Sequence, residues 1–199
     1  GIQSSMYNLS NILVQAAINA FGVNTMAAWT AFGKIDSFFW MLNGAFGIAV
    51  TTFVGQNFGA GKHDRARLTL RYVLYMTVGY GLAAATIVQF LSVPFVGLFT
   101  NDGAVQILGG QYLRSYAWDC VFAGVHFCLS GYFYAYGLSI VSFIHNSISI
   151  VCARIPTHFP DTLFPMGCAA PAGSMVSIVI CVGVFVWMNK HTEKYMERT

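Results

Sequence analysis

The stretch TFVGQNFGAGKHDRAR, Thr52 to Arg67, joins glycines to a lysine in the manner of a phosphate-binding loop. Such a loop needs two glycines spaced by four residues, then Lys and a Ser or Thr, and it follows a strand. The interval from Gly55 to the Gly61-Lys62 pair is one residue too long, and His63 stands where the hydroxyl belongs. A long apolar run, too long for a strand, leads into it. The residues fit a different role: glycine ends a helix, and a basic turn follows at the membrane surface.

That role requires a membrane on either side, and the charge distribution supplies one. Charged residues make up 9% of the chain, against about 25% in a soluble domain. Hydrophobic residues make up 56% and aromatics 16%. No charge occurs in residues 1–33, 37–61, 72–101, 120–153 or 162–189. Each run exceeds the ~20 residues that a helix needs to cross hydrocarbon. Membrane strands alternate over only ~10 residues, which these runs do not do. The expected fold is all-α, a polytopic membrane protein with lipid as its surroundings.

Glycine, asparagine and charge breaks mark six transmembrane spans, near residues 2–21, 27–53, 70–93, 112–136, 139–159 and 166–188. Lys62, Arg65, Arg67 and Arg71 follow the second span, and Lys190, Lys194 and Arg198 follow the sixth. An even number of spans between the two clusters puts both on one face. The positive-inside rule makes that face, and the C-terminus, cytoplasmic. No initiator Met or basic leader precedes the first apolar segment, which points to a fragment of a longer protein. Cys120, Cys128, Cys152, Cys168 and Cys181 form no CxxC pair and read as small buried hydrophobes.

Polar residues follow helical stripes. Ser4, Asn8, Asn11, Gln15 and Asn19 share one face of the first span. Ser115, Tyr116, Asp119, His126 and Ser130 share one face of the fourth, and Ser142, His145, Asn146 and Ser149 one face of the fifth. The plain reading is hydrogen-bonded glue between helices, at about 0.6 kcal/mol per bond. Stripes on three spans, two of them carrying ionisable groups, favour a wetted cavity, with the third and sixth spans peripheral. Within the second span, Lys34 and Asp36 point to different sides and cannot pair squarely. Lys34 can snorkel to the outer surface. Asp36 is deeper and shares a face with Trp40, Asn43 and Gly47. Asp36 reads equally as an ion or proton site and as the partner of a basic side chain. Asp119 and His126, on one face, could exchange a proton in a partly dry site. The candidate substrate and ion cavity comprises Asn8, Asn11 and Gln15, then Asp36 and Asn43, then Tyr116, Asp119, His126 and His145.

The same stretch, VGQNFGAGKHDRAR, resembles the loop after the eighth helix of multidrug and toxin extrusion (MATE) transporters. AAWTAFGKIDSFFWMLNGAFGIAVTTFVGQNFGAGK is similar to that helix, and LFTNDGAVQILGGQYLR to the link into helix ten. LSGYFYAYG resembles the end of helix ten, and ARIP, Ala153 to Pro156, the Arg-x-Pro of helix eleven. The resemblance implies the C-terminal six-helix lobe of a twelve-helix transporter, with the N-terminal lobe absent. It also implies antiport of small organic, cationic compounds against sodium ions or protons, with no other cofactor and no nucleic acid. The family's carboxylate positions fall on Asn8 and Ala123, which carry no charge. Three alternatives stand beside export: a flippase for lipid-linked polysaccharide, a non-transporting half-protein, and an intramembrane enzyme. The last lacks an HExxH or similar ligand set.

Overall fold

The computed structural model describes residues 21–151 and 167–190, and before them Asn8, Asn11, Ile12, Gln15, Ala16, Ile18 and Asn19, all seven at helical positions. Arg154 and Cys152 lie outside the described residues. Among the described residues these helices follow: α1 (Val23–Gly59), α2 (His63–Gly97), α3 (Gly103–Tyr116), α4 (Asp119–Ala135), α5 (Ser139–Ser149) and α6 (Ala169–Lys190). No strand occurs among the described residues. α1, α2 and α6 are long and apolar enough to cross a membrane.

The opening stretch resolves into the end of α1 and the start of α2. Gly61 takes φ 68°. Its N–H donates to the Phe58 carbonyl at 2.9 Å, and the Lys62 N–H reaches back to Asn57 at 2.8 Å. This is a Schellman turn, which satisfies carbonyls that a membrane helix would otherwise leave bare. The same geometry recurs after α4, where Gly137 (φ 74°) donates to Tyr134 and Leu138 donates to Phe133 at 2.8 Å. The two turns meet: the Phe58 and Tyr136 rings lie 4.6 Å apart, and His63 Nδ1 is 3.4 Å from the Tyr136 hydroxyl. Only glycine holds a positive φ without strain. Gly61→Ala and Gly137→Ala are each expected to cost about 1 kcal/mol, read as a lower unfolding midpoint in micelles. Gly59→Ala, inside the helix with open space around it, should not.

α2 bends before Pro94, with Leu91 at φ −110° and ψ 15°. Proline removes a backbone donor and crowds the preceding turn. The bend is latched to the end of α3: Arg114 Nε donates to the Ser92 hydroxyl at 2.8 Å, and the Gln89 amide donates to the Arg114 carbonyl at 2.9 Å. α3 is started by Asp102, whose carboxylate accepts from the Ala104 and Val105 N–H groups. The expected fourth span is divided between α3 and α4, which meet at Ala117 and Trp118.

Large apolar side chains face outward, among them Phe38, Tyr75, Phe90, Val179 and Trp187. Lipid is the solvent that such a surface requires. Hydroxyls on the outer faces return to their own helix: Thr30, Ser37, Thr52 and Thr86 each donate to the carbonyl one turn back. Inside, the apolar core has two parts. One gathers Phe32, Ile35, Val88, Tyr112, Leu113 and Val121. The other gathers Val50, Leu70, Leu129, Phe133, Cys181 and Met188. Along α1 and α4 the positions between them hold Asn43, Gly47, Gly124 and His126, all buried.

α2 and α6, expected to lie outside the polar cavity, pack closely against the central helices. α2 lays Gly81 against the backbone of Val121 and Thr77 against Cys128. α6 buries Ser174, Ser177 and Cys181 against the centre. Cys120, Cys128 and Cys181 are buried, whereas Cys168 is exposed and departs from the reading of the cysteines as interior hydrophobes.

Candidate substrate and ion site

A chamber of 290 Å³ lies between α1, α4 and α5. Gly44 on α1 leaves its side-chain space open, while Gly47 on α1 and Gly131 on α4 let the two helices approach closely at the chamber wall. Thr51, His126, Phe127, Ser130, Tyr134 and Asn146 supply its polar and aromatic walls. The Thr51 hydroxyl lies 3.0 Å from the Gly47 carbonyl and 3.2 Å from the Gly131 carbonyl, so it bridges α1 and α4. Behind the wall, His145 is fully buried, its Nε2 3.0 Å from the Ser130 hydroxyl.

Asp36 and Asp119 belong to a second group. The Tyr116 hydroxyl hydrogen-bonds the Asp36 carboxylate, and the Trp40 indole in turn hydrogen-bonds Tyr116. The Ser174 hydroxyl donates to Asp119 Oδ1 at 2.5 Å. Lys34 turns away from Asp36, and its Nζ rests 5.4 Å from the centre of the Phe99 ring. The sequence had placed Asp119 with His126. The structure instead gives Asp119 to Ser174 and stacks His126 on Phe127, with ring centres 4.7 Å apart.

Asn8, Asn11 and Gln15 line a separate groove of 540 Å³ with Ile12, Ala16 and Asn19. Gln15 Nε2 donates to the Asn19 side-chain Oδ1 at 2.9 Å. Asn43 lines neither space. It is buried between α1 and α4, 3.5 Å from the Cys120 carbonyl. The nine expected site residues thus fall into a chamber with His126 and His145, a carboxylate cluster with Asp36, Tyr116 and Asp119, a groove with Asn8, Asn11 and Gln15, and a lone interhelical Asn43. Sequence reasoning did not place Thr51, Phe127, Tyr134 or Ser174 at a site. Ser174 and Ser177, one turn apart, were the available signal for α6.

Apolar faces turned outward around buried polar groups define a membrane-embedded, multi-pass helical protein, and known structures share this fold. A MOP superfamily transporter from Pyrococcus furiosus superposes with a TM-score of 0.77 at 15% identity, covering 94% of this chain and 42% of that one. A multidrug resistance MATE family transporter in an outward-facing conformation gives 0.76 at 15% identity, covering 94% of this chain and 42% of that one. The MatE family profile matches residues 1–159. The chain belongs to the MATE family, whose multidrug transporters are not enzymes. The probable multidrug resistance protein YoeA of Bacillus subtilis is 22% identical over 204 residues, covering 98% of this chain and 44% of that protein. The probable multidrug resistance protein NorM of Halalkalibacterium halodurans is 25% identical over 190 residues, covering 93% of this chain and 41% of that protein. The chain therefore spans less than half the length of these relatives.

Proposed function

We propose that the chain forms the C-terminal lobe of a secondary active exporter, which moves small organic cations outward as sodium ions or protons move inward. The observation that carries this reading is the chamber between α1, α4 and α5, set in a chain of the MATE family. Its aromatic walls, Phe127 and Tyr134, offer π faces to an organic cation. Its hydroxyl and amide groups, on Thr51, Ser130 and Asn146, fix orientation without adding charge. Chambers at the interface of two repeats are where such transporters place their cargo, and an N-terminal lobe would close this one. Among the described residues neither lysine nor arginine lines it.

Lys62, Arg65 and Arg71 are exposed at the α1–α2 turn, and Lys190 is exposed at the end of α6. Their placement supports a cytoplasmic C-terminus. The transporter that contains this lobe, reconstituted in vesicles, should move ethidium only against an imposed sodium or proton gradient. In right-side-out vesicles, external protease should leave a C-terminal tag intact. Movement without a gradient, or no movement, would count against export and favour the non-transporting reading.

A further inference from the structure

His126 and His145 face each other across α4 and α5, edge to face, with ring centres 5.9 Å apart. His126 touches the chamber; His145 lies behind it with no exposed surface. Ser130 connects the two elements, one helical turn after His126 on α4 and 3.0 Å from His145 Nε2. The other ring nitrogen of His145, Nδ1, is buried with no hydrogen-bond partner among the described residues. A buried polar atom in that condition calls for an explanation, and a lone pair left open beside a second imidazole provides one. Imidazole nitrogens suit this role better than a metal or sodium role. Hard cations take oxygen ligands, and two imidazoles fall short of the four ligands of a structural zinc.

We propose that His126 and His145 form a single proton-binding site, filled from the chamber at His126 and held toward His145 by Ser130. Two imidazolium ions at this separation repel in a partly dry interior, so the pair takes one proton and not two. Among the described residues, these groups surround the pair. Tyr134 lines the chamber from α4, while α1 presents Gly47, Ile48 and Thr51. Ser177 of α6 donates to the His145 carbonyl at 3.4 Å. Cys128 faces Thr77 of α2, Cys181 lies in the apolar core, and Asp119 is held by Ser174. The use of the site in transport rests on the exporter reading, and it assigns the proton to the coupling in place of sodium.

The test is a pH titration of the chain in micelles, with ¹⁵N-labelled histidine followed by NMR. Of the five histidine signals, the two that the variants below assign to His126 and His145 should titrate in coupled steps separated by more than about one pH unit, as interacting sites do. His126→Gln and His145→Gln should each leave one unsplit step for the remaining ring. Steps that ignore the loss of the other ring, or rings that stay neutral throughout, would overturn the proposal. If either Gln variant fails to fold, Ser130→Ala keeps both rings, and an unmoved titration there would overturn it equally. Dye export on a sodium gradient alone, with independent histidines, would remove the proton site and leave the exporter. Coupled histidines in a reconstituted transporter that moves no dye would do the reverse.

Discussion

Gly131→Ala lowers the unfolding free energy by about 2–3 kcal/mol, the upper range for forcing an extra carbon into a packed interior. A Cβ at this position would run into the carbonyl oxygen of Gly47, and it would sit 3.0 Å from the Thr51 hydroxyl. A backbone carbonyl in the middle of α1 cannot rotate aside, so the two helices must separate. Separation also strips the Thr51 hydroxyl from the Gly131 carbonyl, a contact worth about 0.6 kcal/mol in a membrane protein. Gly44 supplies the internal control. It lines the same chamber, but a Cβ there meets nothing within 4 Å. Gly44→Ala should be neutral or stabilising by up to about 1 kcal/mol, since alanine is the better helix former. Denaturant titration of both variants in micelles decides the matter. Equal effects would mean that α1 and α4 do not approach as closely as described.

Gly131 also marks what local sequence could convey. The charge-free runs made membrane helices legible, because composition alone decides whether a segment tolerates hydrocarbon. Gly61 was legible as a helix end because a glycine before a basic cluster has few other roles. Helix faces were legible too: Asn8, Asn11 and Gln15 do share a groove. The rotation of one helix against another was not, since it is fixed by contacts between distant positions. Asp119 and His126 share a face of α4, yet Ser174 of α6 claims the carboxylate and His145 of α5 faces the imidazole. The division between α3 and α4 at Ala117 and Trp118 has no glycine or proline to announce it. It follows from the packing of buried Tyr116, Ala117 and Val121 in one core.

Tyr116→Phe should cost about 1.5–3 kcal/mol, the range for a hydrogen bond to a charged group. Tyr116 is buried, and its hydroxyl lies between the Trp40 indole and the Asp36 carboxylate. A carboxylate near the middle of a membrane helix costs about 2.5–3.5 kcal/mol when isolated. The phenol is one of the groups that reduce that cost, and phenylalanine keeps the ring while removing it. The ring contacts would survive, since Phe32 packs edge-on against Tyr116 at 4.8 Å. The informative measurement is the double-mutant cycle with Asp36→Leu. Removing one partner strands the other, whereas replacing both by apolar groups of similar shape is nearly neutral. The double variant should therefore be more stable than Tyr116→Phe alone, with a coupling energy of about 1.5 kcal/mol or more. Simple additivity would show that the hydroxyl does not support the carboxylate. If the apolar pair is as stable as the wild type, stability is not what Asp36 contributes.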